Sequence, residues 1–135
     1  MVVLDSSFLI AYHNTRDAHH AAAAQAMPSL TAGQWGPVLL LEYVFLEVVT
    51  VLLMRRGLDV ASRVARVLLD AREVEFVPCS PVFHDAVETF LRQRDSTLSF
   101  ADATIVTPAE RRGARFVATF DNDFRGVSSV AVVPD

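Results

Sequence analysis

The strongest constraint on how this chain folds is a spacing pattern. Short apolar runs at Val2–Leu4, Pro37–Leu39, Val74–Val77, Phe116–Phe120 and Val130–Val133 are separated by stretches long enough for one or more helices. Runs this short suit buried strands. Strands that alternate with helices belong in a mostly parallel sheet, because parallel neighbours need a crossover connection and the crossover helices cover the sheet faces. The expected class is therefore α/β: a three-layer α/β/α sandwich with a short, mostly parallel central sheet, formed as one domain over residues 1–135.

The helices between these runs carry their own signals. Ser6 and Ser7 stand where they can cap a helix over Phe8–Tyr12. A second helix is expected from Asp17 to about Met27, ended by Pro28, with Ser29–Gly36 as loop. A long helix from about Leu41 to Arg56 ends at Gly57. Val60, Val64, Val67, Leu68 and Ala71 mark one side of the next, from Asp59 to about Arg72. Pro81 opens a helix towards Arg94, and Ser99 opens another that passes through Asp102 to Arg112 before Gly113.

Composition excludes whole classes of chemistry. All 12 basic residues are arginines. Without lysine there is no Schiff base, no Walker A loop and no receiver-domain switch. Cys79 is the one cysteine and has no disulfide partner within the chain; it reads as a small buried residue after a strand. No Cys/His cluster has the spacing of a zinc site. Mean hydropathy is +0.32, yet the longest apolar stretch, Val38 to Met54, holds Glu42 and Glu47, so it reads as a buried helix with acids in it and not as a membrane span. MVVLDSS at the start lacks the basic and apolar segments of a secretory signal. The expectation is a cytoplasmic protein with no membrane partner. The net charge of −4 argues against general nucleic-acid binding. It does not argue against a nuclease whose acids hold cations.

Four acids stand out by position. Asp5 ends the first strand and Asp121 follows a later one, and ligands of open parallel sheets bind beyond the carboxyl ends of strands. Asp102 lies in the first turn behind Ser99. Glu47 sits among Val44, Phe45, Leu46, Val48, Val49 and Leu52. Each has a plain alternative: Asp5 as a cap, Glu47 as a solvated helix acid, Asp102 as a dipole-favoured first-turn acid, Asp121 as a turn residue. Gathered in one cleft, they would repel one another, and a divalent cation would relieve the repulsion. An oxygen-only donor set suits Mg²⁺ or Mn²⁺ and phosphodiester cleavage. Thr119 and Asp123 share parity with Asp121 if that segment stays extended, Thr119 as a supporting group and Asp123 as an outer metal ligand. Ser6 could orient Asp5 or a water.

These residues carry a resemblance that spans nearly the whole chain. Val3-Leu4-Asp5-Ser6-Ser7, Asp17-Ala18-His19-His20, Tyr43-Val44-Phe45-Leu46-Glu47 with Leu52–Gly57, Leu98-Ser99-Phe100-Ala101-Asp102-Ala103 and Ala118–Phe124 resemble the successive motifs of PIN-domain proteins, specifically the VapC-like toxins of toxin–antitoxin pairs. The Leu-Ser-Phe-x-Asp-Ala match is the most specific. The resemblance implies Asp5, Glu47, Asp102 and Asp121 as catalytic and metal-holding acids, Mg²⁺ or Mn²⁺ dependence, endonucleolytic cleavage of RNA, a homodimer, and a cognate antitoxin as partner. It assigns Asp17–His20 to packing.

The sequence departs from the pattern in two places. Glu42 is a second acid in the Glu47 helix, about 140° away around the axis, so one pocket does not readily take both. Pro108 falls inside the helix opened by Ser99 and should kink it. His13, His19, His20 and His84 form no catalytic or metal-binding arrangement. Arg111, Arg112 and Arg115 read as a solvated helix end, with RNA phosphate contact as the alternative. Trp35 and Phe83 read as core or dimer contacts. The rival functions are a phosphatase or phosphoryl-transfer enzyme, for which Asp5-Ser6-Ser7 lacks a second Asp, and a catalytically silent binding protein of the same fold.

Overall fold

The computed structural model describes residues 1–95 and 97–135. Its strands are β1 (Val2–Leu4), β2 (Val38–Leu41), β3 (Val74–Val77), β4 (Phe116–Ala118) and β5 (Ala131–Val133), and its helices are α1 (Ser6–His13), α2 (His20–Thr31), α3 (Glu42–Arg56), α4 (Leu58–Asp70), α5 (Phe83–Leu91) and α6 (Phe100–Arg112). Short 3-10 turns occupy Ser80–Val82 and Asn122–Gly126. The sheet is parallel throughout, in the order β3-β2-β1-β4-β5. Successive residues of β1 and β2 point to opposite faces, and every one is buried. Both faces are therefore covered, giving the expected α/β/α sandwich.

Strand order locates the functional edge. The chain builds outward from β1 to β2 and β3, then returns to the other side of β1 for β4 and β5. The reversal falls between β1 and β4, which pair Val2 with Phe116, Val3 with Val117 and Leu4 with Ala118. At such a switch point the loops leaving neighbouring strand ends diverge and open a crevice. Asp5 and Thr119 are the next residues beyond these two strands.

One proline behaves differently from the sequence expectation. Pro28 does not end α2, which continues to Thr31. The last turn places Leu30 in the core at 1% exposure, and burying a leucine, worth ~2 kcal/mol, offsets the single hydrogen bond a proline removes. Pro108 lies within α6, which runs unbroken from Phe100 to Arg112. Every residue from Asp102 to Ala109 is buried, so packing on all sides holds the turn at Pro108. Ser6 and Ser7 do not cap α1. Asp5 occupies the N-cap and both serines are inside the first turn, their hydroxyls free for the site. α5 is shorter than expected and is preceded by the 3-10 turn, while Asp17–His19 form a turn ahead of α2. Cys79 is fully buried directly after β3, as read from the sequence.

Candidate active site

A hollow of about 840 Å³ opens at the carboxyl ends of β1 and β4, and Asp5, Glu47, Asp102, Asp121 and Asp123 all line it. β1 delivers Asp5 and α3 delivers Glu47. α6 delivers Asp102, and the turn after β4 delivers Asp121 and Asp123. Glu42, five residues before Glu47, is exposed and does not line the hollow, as their separation around the helix requires.

Asp5 is held most firmly. Its Oδ2 accepts hydrogen bonds from Ser7 Oγ at 2.7 Å and Thr119 Oγ1 at 2.6 Å. Each hydroxyl has one hydrogen to give, so the 3.0 Å approach of these two oxygens reflects their shared acceptor. Each hydroxyl in turn accepts a backbone N–H: Phe120 N donates to Ser7 Oγ at 3.0 Å and Asp121 N to Thr119 Oγ1 at 2.9 Å. One cluster thus ties α1, the end of β1 and the turn after β4 around a buried carboxylate. Ser6 Oγ lies 2.9 Å from Glu47 Oε1 and 3.5 Å from Asp5 Oδ1. Its hydrogen goes to Glu47, linking α1 to α3.

Asp102 does two jobs with one side chain. Ser99 Oγ accepts from Asp102 N at 3.0 Å, and Asp102 Oδ2 accepts from Ser99 N at 3.2 Å. This reciprocal capping box fixes the start of α6. The same carboxyl faces the hollow. Burial raises its pKa above the ordinary aspartate value; the Ser99 backbone and side-chain hydrogen bonds work against this, and the charges of Asp121 and Asp5 add to it. The plain reading of Asp102 as a helix-start acid and its place in the acid hollow are therefore both present in the structure.

Asp121 caps the turn that follows it, with Asp123 N donating to Asp121 Oδ1 at 2.9 Å. The segment does not stay extended, so the parity argument for Thr119 and Asp123 does not hold. The turn instead folds Asp123 back, and carboxylate oxygens of Asp102, Asp121 and Asp123 lie within 4.8 Å of one another. Among the described residues none of the five acids is in an ion pair. Crowded, unpaired, oxygen-only donors fit a hard divalent cation.

A family model for the PIN domain matches residues 2–130. The chain belongs to the PIN-domain family. This PIN domain is similar to the 23S rRNA-specific endonuclease VapC20 of Mycobacterium tuberculosis, with 30% identity over 100% of both chains. The crystal structure of M. tuberculosis VapC20, described as a Sarcin-Ricin loop cleaving toxin, superposes with a TM-score of 0.83 at 27% identity, covering 95% of each chain. A toxin–antitoxin complex from Klebsiella pneumoniae shares the fold with a TM-score of 0.70 at 21% identity, over 97% of this chain and 96% of that one.

The PIN domain's hollow also holds residues that sequence reasoning passed over. Ser7 was read as a cap, yet its hydroxyl is central to holding Asp5. Its signal is the Asp-Ser-Ser step at a strand end, which supplies hydroxyls beside a carboxylate. Arg55 and His19 line the same hollow. Arg55 lies eight residues after Glu47, a little over two helical turns further along α3.

Proposed function

We propose that this protein is an RNA endonuclease and the toxin of a toxin–antitoxin pair, dependent on Mg²⁺ or Mn²⁺. The observation that carries the reading is the gathering of five unpaired carboxylates at the strand-order switch, three with oxygens within 4.8 Å of one another. The full-length likeness to an rRNA-specific endonuclease supports RNA as the substrate class. Neither a phosphoryl-transfer enzyme nor a silent binding protein gains support from these observations.

In this reading Asp5, Glu47, Asp102 and Asp121 hold the metal, with Asp123 as an outer ligand. When bound, the cation neutralises phosphodiester charge and makes water a better nucleophile. The chain's own part is preorganisation. Ser7 and Thr119 fix the Asp5 carboxylate, Ser6 steadies Glu47, and Ser99 fixes Asp102. The Ser7–Thr119 cluster spares the site the cost of ordering Asp5 when substrate arrives. A cation would also offset the charges of Asp121 and Asp5, which add to burial in raising the Asp102 pKa.

A cognate antitoxin is the proposed protein partner, supported by the fold shared with toxin–antitoxin complexes. A homodimer through α3 and α4 is supported by Leu46, Leu53, Met54, Leu58, Val67 and Leu69, all exposed on these helices. Among the described residues no helix is long and apolar enough to cross a membrane, and the cytoplasm is the proposed site of action. The decisive test is cleavage of RNA by antitoxin-free protein. Cleavage that stops in EDTA and returns with Mn²⁺ supports the reading. Cleavage that persists in chelator, free of contaminating nuclease, would overturn its metal dependence.

A further inference from the structure

Three rings form a near-parallel series from the core to the rim of the acid hollow. Phe8 is fully buried at 0% exposure. Phe120, half-buried, stacks on it with centroids 5.7 Å apart and planes 15° apart. His19 stacks on Phe120 at 4.5 Å and 5°. His19 is exposed, while its neighbour His20 is spent on packing, with Nδ1 2.9 Å from Ala11 O. The backbone holds the His19 ring in place: His19 N donates to Asp17 Oδ1 at 2.8 Å, and His19 N-caps α2. Both His19 and Phe120 line the hollow that holds the acids.

A cation lines the same hollow. Arg56 Nη1 donates to Asn14 Oδ1 at 2.8 Å, which ties the end of α3 to the loop leading to His19. Arg55, the preceding residue, is exposed, lines the hollow and has no ion-pair partner among the described residues. An acid site that must admit a polyanion gains from such a cation at its mouth. A flat ring, fixed on one face and solvated elsewhere, is a stacking platform for a base, since every base offers a π-face. A guanidinium lining the same hollow suits a phosphate.

We propose that His19 and Arg55 form a nucleotide subsite on the rim: His19, backed by Phe120, stacks one unpaired base of the RNA, and Arg55 binds a phosphate next to it. This rests on the nuclease reading. It makes His19 a positioning residue, acting on where the strand lies and not on the bond that breaks. The interaction needs the ring's flat face and not its nitrogens, so a phenyl ring should serve.

The test uses short single-stranded RNAs, with cleavage rates and fluorescence anisotropy measured on the same set, including a series with one abasic position moved along the strand. His19→Ala should raise KM and Kd about 10-fold with kcat changed by less than about twofold, and His19→Phe should restore both. One abasic position should weaken binding to the parent about 10-fold and leave His19→Ala unaffected. Arg55→Ala should lower the slope of log Kd against log salt by about 0.7. If His19→Ala matches the parent, or if His19→Phe is as poor as His19→Ala, the stacking role is overturned while the nuclease reading stands. If the parent neither binds nor cleaves RNA, both fall. If His19 and Arg55 variants change only capture of an antitoxin and not RNA binding, the rim is a protein-docking surface and the subsite is overturned.

Discussion

Two hollows of similar size stand out among the described residues, and only the strand-end one gathers three acids with carboxylate oxygens within 4.8 Å of one another. The first, about 840 Å³, is the strand-end cleft. The second, about 730 Å³, lies between α5 and α6 and is lined by Asp85, Glu88, Arg92, Arg94 and Arg111 among others. In the second, Arg111 pairs with Asp85, Arg92 with Glu88 at 3.4 Å, and Glu110 accepts from Ser129 at 2.8 Å. In the first, Asp5, Glu47, Asp102 and Asp121 accept from hydroxyl or backbone donors, and among the described residues none of the five acids is in an ion pair. Size does not separate the two; charge balance does. An acid paired with arginine has its field spent, whereas crowded unpaired acids keep a negative potential that folding alone does not relieve.

The largest expected effect tests that contrast directly. Asp121→Asn or Glu47→Gln should lower RNA cleavage by roughly 10²-fold or more, as loss of a preorganised charge does in other sites. Asp85→Asn and Glu42→Gln should each stay within about twofold of the parent. Single-turnover cleavage assays of purified proteins check this, and an equal loss from Asp85→Asn would erase the distinction between the hollows.

The next effect is on stability. Mg²⁺ at about 100 times its Kd should stabilise the parent by about 2.7 kcal/mol through binding to the folded state. Asp102→Asn should gain much less. In EDTA it should melt no lower than the parent, because Asn keeps an oxygen for the Ser99 N–H while shedding a crowded charge. Thermal melts with and without Mg²⁺ decide it: a destabilised, metal-indifferent Asp102→Asn protein would leave Asp102 as a helix cap only.

A third prediction concerns pH in metal-free buffer. His13, half-buried at the end of α1, has its pKa lowered to about 4, by burial first and then by the charge of Arg63. The unfolded histidine titrates near 6.5, so between these values the unfolded state binds a proton that the folded state refuses. This contribution is complete above about 6.5 and is lost as pH falls towards about 4, a cost of roughly 1–3 kcal/mol. Asp102 acts in the opposite sense. Its raised pKa means the folded state takes up a proton first, so the fold gains stability as pH falls through that value. Melting temperature against pH should therefore flatten in His13→Gln and steepen in Asp102→Asn. A parent profile unaffected by His13→Gln would show that residue to be solvated.

The smallest effect belongs to the second hollow. Arg111→Ala breaks an exposed pair and should cost ~0–1 kcal/mol, with no dependence on Mg²⁺. A larger, metal-dependent loss would mean that the α5–α6 hollow also holds cations.

Much of this architecture is legible in local patterns. The alternation of short apolar runs and helices implies a parallel sheet covered on both faces, because period and length are properties of neighbouring residues. Ser99 with Asp102, and Gly57 and Gly113 after their helices, are likewise local signals, and all three lie at helix ends. The angle between Glu42 and Glu47 follows from helix geometry alone. The misreading of Pro28 has a plain cause. The hydrogen bond Pro28 removes is a local signal, while the packing of Leu30 against the core settled where α2 ends.

Residue order, taken by itself, determined the fold class, the candidate acids and the kind of ion they suit, since donor chemistry and periodicity are written along the chain. Only the tertiary structure decided that Asp5 shares hydrogen-bonded oxygens with Thr119, 114 residues away. It also brought Asp123 to Asp102 and placed His19 and Arg55 along the same hollow. Those juxtapositions depend on the β3-β2-β1-β4-β5 order, which is set by how all the elements pack at once. A strand's sequence specifies what it buries, but which strand it lies beside is a property of the whole core.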